Sequence, residues 1–185
     1  MSRALIFTLV ILVAIPVFAG TKAGVTMPDS IVIDNQTLVL NGMALRKKLI
    51  FKVYVAGLYI QQKEGDSNKI LNADTMRSGA MHFLRSVDAG KIRDAWVDGL
   101  KANTPGFSAE LKQQFDTLCS WMEAMRNGDR ITFTYRPGMG TEIKVKNIGK
   151  GTIPGKAFAD ALFACWIGPK PGPGETFKKN LLGSN

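Results

Sequence analysis

Residues 48–60, KLIFKVYVAGLYI, decide the fold. The run is rich in β-branched and aromatic side chains, which pack well on a pleated surface, and it reads as one long strand. With a period of two, Leu49, Phe51, Val53, Val55 and Tyr59 share one face. Lys48, Ile50, Lys52, Tyr54, Ala56 and Leu58 share the other, mixed at one end and apolar at the far end. Such a strand is expected to be covered on both sides for much of its length. Gly57 in its interior implies either a close approach by backbone or ligand, or a bulge.

Outward from this strand the chain divides at its turn signals. Upstream, residues 29–40 read as a short strand pair around Asp34-Asn35, and Asn41-Gly42 is a second turn signal. Downstream, residues 68–72 form at most a short helix and residues 79–87 a strand. Residues 89–102 read as a helix capped by Asp88, with Ile92, Trp96 and Leu100 along one face. Pro105-Gly106 breaks the chain. Ser108 then caps a helix over 109–127 whose stripe of Leu111, Phe115, Leu118, Met122 and Met125 fits a core better than a cofactor site. Residues 130–136 and 141–146 flank Pro137-Gly138-Met139-Gly140 as a hairpin. A helix over 156–166, the stiff connector PKPGPG at 169–174 and a short helix over 175–182 close the chain. Strands, helices, a hairpin and helices in that order argue for an α+β fold with a largely antiparallel sheet.

The first nineteen residues have a different purpose. Ser2-Arg3 is a short basic start, and residues 4–18 are apolar but for Thr8 and Pro16. Val17-Phe18-Ala19 then suits a signal peptidase cutting before Gly20, with Thr21-Lys22-Ala23 as a weaker second site. A permanent anchor is disfavoured because the run is shorter than the ~20 residues that span a bilayer. Residues 1–19 are thus expected to be a signal peptide and residues 20–185 a single domain, periplasmic or secreted, without a stable membrane anchor. The net charge of +9 would lose only Arg3 on cleavage. A basic surface favours anions, but the lysines are scattered and export argues against nucleic acid. A monomer is expected.

Most enzymatic chemistries find no residues. The one histidine, His82, sits in the strand-like run AMHFL without an obvious partner, and two cysteines with one histidine give no metal-ligand spacing. No cofactor is expected. Cys119 and Cys165, both on apolar helix faces, could form one disulfide in an oxidising compartment or stay as buried thiols. One constellation remains. Arg46 precedes the long strand and, if the chain is regular, shares a face with Ile50 and Tyr54. A guanidinium fork and a phenol among apolar neighbours would trap a carboxylate. A surface arginine beside Lys47 and Lys48, with a core tyrosine, is the alternative.

Residues 40–60 resemble the signature of the chalcone-isomerase-like superfamily: Gly42, a short gap, Arg46, then the strand Lys52-Val53-Tyr54-Val55-Ala56-Gly57-Leu58-Tyr59. Residues 157–168 and the terminal Leu181-Leu182-Gly183 are similar to the family's closing helix and its end, so the resemblance covers roughly residues 24–183. An apolar N-terminus fits the exported bacterial branch. The resemblance implies an open-faced β-sandwich in which helices cover a large antiparallel sheet and a ligand cleft lies between them. It also implies two activities: cyclisation of a chalcone, or non-catalytic binding of fatty acids through the family Arg and a strand Tyr.

Carried over residue by residue, Arg46 matches the family Arg, and Tyr54 stands where isomerases have Thr and fatty-acid binders have Tyr. Ala56 follows Tyr54 on the same face. Lys91 and Ile92 match a Lys-Val pair on the cleft helix. Isomerase polar positions fall near Asp88, on Ala95 and on Ala159, so several of the groups that would place and polarise a ketone are missing. The expected function is therefore an exported, non-catalytic binder of a fatty acid or similar amphipathic carboxylate, contacted by Arg46, Tyr54, Ala56, Lys91, Ile92, Ala95 and Ala159. An isomerase of unknown substrate and a protein-interaction scaffold are the rival readings.

Overall fold

The structure is a computed structural model that describes residues 19–183. The expected signal peptide lies outside the described residues except for Ala19, which opens the first strand. A hairpin of β1 (Ala19–Lys22) and β2 (Val25–Pro28) forms a small sheet of its own. Seven strands make the main sheet: β3 (Ser30–Ile33), β4 (Gln36–Lys48), β5 (Phe51–Ile60), β6 (Arg77–Phe83), β7 (Arg130–Arg136), β8 (Gly140–Val145) and β9 (Ile148–Ile153). They pair antiparallel in chain order, so every strand lies beside its sequence neighbours. The helices are α1 (Ser67–Asn72), α2 (Ala89–Asn103), α3 (Ala109–Ser120), α4 (Lys156–Ile167) and α5 (Glu175–Leu181).

The alternation read from β5 holds where it matters for the core. Ala56, Leu58 and Ile60 face the helices and join the larger apolar cluster. Val55 and Tyr59 face the other way, into a smaller cluster with Val25 and Met27 from the β1–β2 hairpin. The central strand is thus covered on both sides, as an open-faced sandwich requires. At Gly57 the approaching group is a side chain: a Cβ there would lie 2.5 Å from the Met27 sulfur. Helix α4 is the centre of the helical layer. Phe158 and Ala159, then every residue from Ala161 to Ile167, are buried, as a helix apolar on nearly all sides demands.

Three local expectations are corrected, and one unassigned segment gains an element. The strand over 48–60 is broken at Leu49-Ile50, where β4 turns into β5. Asn41-Gly42 is no turn but an irregularity within β4. There the Asn41 amide donates to the carbonyls of Leu181 (2.9 Å) and Glu64 (3.0 Å), and a Cβ at Gly42 would lie 2.1 Å from the Asn180 carbonyl oxygen of α5. The helix over 109–127 stops at Ser120, because the chain must extend for Met125 to bridge Val87. Residues 148–153, to which the turn signals assign no element, form the seventh strand of the main sheet, closed onto β8 through Lys146 and Asn147 at φ 54° and 63°.

The two cysteine thiols are free, so the disulfide that an even count permits is not formed. Cys119 points to the Arg93 carbonyl at 3.9 Å and Cys165 to the Ala161 carbonyl at 3.3 Å, each within its own packing. Burial pushes the Cys165 thiol up to about 12 and raises that of Cys119 as well. A buried, protonated thiol is a poor nucleophile. Native protein at neutral pH should therefore leave Cys165 unalkylated for as long as it stays folded. Denatured, unreduced protein should release two thiols to a colorimetric reagent, and finding none would establish a bridge.

Candidate functional site

One cleft of about 840 Å³ lies between the helix-side face of the sheet and α2, within the roughly 300–1,000 Å³ usual for small-molecule sites. Its floor is β4, β5 and β6, through Arg46, Tyr54, Met81 and Phe83. The wall is α2, where Ile92, Ala95, Trp96, Gly99 and Ala102 recur at helical spacing. The small residues in that row leave the space. Gly99 also lets α4 close in, since a Cβ there would meet the Cys165 sulfur at 2.6 Å. Trp166 of α4 and Pro173 of the connector finish the inner end, and Leu49, Phe51 and Arg85 form the outer rim.

Arg46 and Tyr54 come together, but by a route different from the one read in the sequence. They do not share one regular strand. They are direct cross-strand partners in the β4–β5 hairpin. The register then shifts: Arg46 pairs Tyr54, while the next pair is Lys47 with Lys52. Val53 is the extra residue, and its carbonyl accepts from the Leu84 amide at 2.9 Å. A bulge reverses side-chain parity beyond it. Phe51 therefore lies on the cleft with Tyr54, where strict alternation would part them.

The Arg46 Nη1 donates to the Pro173 carbonyl at 2.9 Å, which ties the β4 edge to the connector. Among the described residues no carboxylate forms an ion pair with Arg46. The Tyr54 ring packs between Phe83 (centroids 5.7 Å apart) and Phe177 (6.0 Å). Burial holds its phenol well above the ordinary tyrosine value, against the smaller opposing pull of the Arg46 guanidinium. The hydroxyl thus remains a proton donor through the physiological range. The indole Nε1 of Trp96, on the cleft wall, is buried and finds no acceptor among the described residues. The site consequently gathers a guanidinium and a phenol, both donors, on a largely apolar floor, while Ser86, Lys91, Asp94 and Asp98 add polar groups to the lining.

Of the other expected contacts, Lys91, Ile92 and Ala95 line the cleft. Ala56 and Ala159 do not. Ala56 lies two pairs deeper on β5, fully buried opposite Ala44, and Ala159 is enclosed in α4. Sequence reasoning missed Trp96 as a lining residue, along with Trp166 and Pro173. Trp96 had registered only as an apolar position at helical spacing. His82 is half-buried on β6, its Nδ1 accepting from Arg130 Nε at 3.3 Å, away from the cleft. Among the described residues no three His, Cys, Asp or Glu side chains gather as a metal site. No helix among them is long and apolar enough to cross a membrane.

The family described as chalcone isomerase-like matches residues 19–183. A solved structure similar to this one is that of a fatty-acid binding protein from Arabidopsis thaliana. The two share 17% sequence identity and a TM-score of 0.70 over 89% of this chain and 96% of that one. That likeness is one of fold. No curated protein sequence matches the chain.

Proposed function

The chain belongs to the chalcone isomerase-like family, and from that premise we propose that it is a non-catalytic binding protein for a fatty acid or similar amphipathic carboxylate. The observation that carries this reading is the Arg46–Tyr54 pair on the cleft floor: two donors side by side, with no carboxylate of the protein's own between them. Arg46 would hold the carboxylate, Tyr54 would donate to it, and Met81, Phe83 and Ile92 would hold the tail. Burial of an acid's chain against such side chains yields roughly 0.8 kcal/mol per methylene, which favours long acids over short ones. The Arabidopsis protein's description as a fatty-acid binder agrees with this reading.

Catalysis is disfavoured by the chemistry of the lining. At two positions where the resemblance would put isomerase polar groups stand Ala95, on the cleft wall, and Ala159, away from it. We propose further that residues 1–19 direct export and that the domain acts as a monomer in the periplasm or outside the cell.

Native mass spectrometry of the purified protein should show a co-purified acid, and a fluorescent fatty acid should be displaced from it by unlabelled long-chain acid. Ala95→Phe, which fills the cleft from its exposed wall, should abolish both signals while leaving the melting temperature nearly unchanged. Purified protein should not accelerate chalcone cyclisation above the spontaneous rate. Retention of acid by Ala95→Phe would remove the cleft as the site, and an acceleration lost in Arg46→Ala would restore the isomerase.

A further inference from the structure

The turn between β4 and β5 leaves three successive large apolar side chains in water. Leu49 is 88% exposed, Ile50 86% and Phe51 50%. The other exposed large apolar residues, Val32, Met139 and Ile148, stand singly, as is ordinary on a protein surface. A contiguous apolar tip is not ordinary and marks a contact surface.

The backbone strengthens the point. Leu49 takes φ 55° at the first position of a two-residue hairpin loop, where glycine, asparagine or aspartate is the favoured choice. A leucine there works against the local fold, so its side chain is explained by a contact outside the fold.

The charge around the tip says what the contact is. Lys47 and Lys48 precede it, Lys52 follows it, and the Arg85 guanidinium lies 4.5 Å over the Phe51 ring. None of the four is ion-paired to a carboxylate among the described residues. Aliphatic side chains at the apex with cations behind them suit a bilayer surface, where the former enter the acyl boundary and the latter meet anionic headgroups. A second copy would set like charges against each other. A protein partner would have too little surface to grip on one two-residue apex, far below the area of a stable interface.

We propose that the β4–β5 hairpin docks the protein reversibly on an anionic lipid surface, with Leu49 and Ile50 inserted and Lys47, Lys48, Lys52 and Arg85 on the headgroups. Lys48, Leu49, Phe51 and Arg85 also line the cleft, so docking opens the cleft mouth onto the lipid. The docking stands whether or not an acid occupies the cleft.

The test uses the full chain, with residues 1–19 present in every variant. Ile50→Cys, carrying an environment-sensitive fluorophore, is titrated with vesicles of equal parts phosphatidylglycerol and phosphatidylcholine, and separately with phosphatidylcholine alone. The emission should shift to the blue on the anionic vesicles only. The same label at Met139→Cys, on the β7–β8 turn at the opposite end of the sheet, should not respond. Lys47→Gln with Lys48→Gln should weaken vesicle binding roughly thirtyfold. Leu49→Asn should weaken it roughly tenfold or more without lowering the melting temperature, since asparagine suits the backbone there. An absent response at residue 50, an equal response on neutral vesicles, or an equal response at residue 139 would overturn the proposal. So would a dimer in lipid-free solution that Leu49→Asn dissolves, or a Leu49→Asn variant that melts earlier yet binds vesicles as before.

Discussion

Asp160→Ala should destabilise the protein by about 3 kcal/mol, because it strands a buried arginine. Arg77 on β6 is wholly enclosed. Its guanidinium donates to the Asp160 carboxylate, to the Ile70 carbonyl at 2.9 Å and to the Ala73 carbonyl at 3.1 Å. It also lies between aromatic rings, 5.0 Å from that of Tyr135 and 5.1 Å from that of Phe163. Asp160 is 32% exposed and is shared with Lys156, so water softens its loss and the lower end of the usual 3–5 kcal/mol for breaking a buried pair applies. Exchanging both partners for apolar residues is gentler than removing one. Arg77→Met with Asp160→Ala should therefore unfold at a higher urea midpoint than Asp160→Ala alone, with the slope of the transition unchanged. If the double variant is as unstable as the sum of the two single ones, the pair is not a coupled unit and the argument fails.

This network was invisible in the sequence, and the reason is instructive. Arg77 and Asp160 are 83 residues apart and belong to no recognisable spacing. What could be read was whatever repeats locally. Helix α2 announces itself by Asp88, whose side chain accepts from the Gly90 amide, and by Ile92, Trp96 and Leu100 at the helical period. The α+β class followed from the same kind of signal. Two of the errors, at Leu49-Ile50 and Val53, share one cause, an interruption of regularity without a distinctive residue. Leu49-Ile50 is an apolar, partly β-branched pair that carries no turn signal, yet tertiary pairing bends the chain there. Val53 looks like any strand residue and is a bulge. Residues 148–153, IGKGTI, hold too many glycines to read as a strand and are held in place by β8. Arg46 and Tyr54 were found as a pair for a reason that proved incorrect. An eight-residue offset along one strand and a cross-strand pair in a tight hairpin both leave two side chains on one face, but only the second brings them within reach of one carboxylate. Ala56 and Ala159 went astray because alignment gives position along the chain, whereas depth beneath the helices decides access to the cleft.

Arg46→Ala should reduce the affinity for a long-chain acid by about ten- to a hundredfold, the 1.5–3 kcal/mol carried by a hydrogen bond to a charged partner in an apolar cleft. The free protein should also lose stability, by about 1 kcal/mol, since the guanidinium is half-buried and its bond to the Pro173 carbonyl goes with it. Binding must therefore be compared at a temperature where both proteins are folded. Arg46→Lys keeps the charge but not the planar fork, so it should recover only part of the affinity. Tyr54→Phe removes a neutral donor and should cost about 0.5–1.5 kcal/mol. Lys47 is one residue away with the same charge, but its side chain lies on the other face of β4, so Lys47→Ala should leave the affinity for monomeric acid in solution within about twofold, as for an exposed charge. The pH dependence follows from which groups titrate. The Tyr54 phenol, raised by burial, stays protonated. Only the ligand changes. Affinity should be level above neutrality and fall as pH drops through the carboxylate range, about 4–5, where the acid takes up its proton and loses its pairing with Arg46. In Arg46→Ala that fall should be much shallower. Equal losses from Lys47→Ala and Arg46→Ala would mean diffuse attraction by a basic surface in place of a trap, and a pH profile unchanged by Arg46→Ala would separate the guanidinium from the carboxylate altogether.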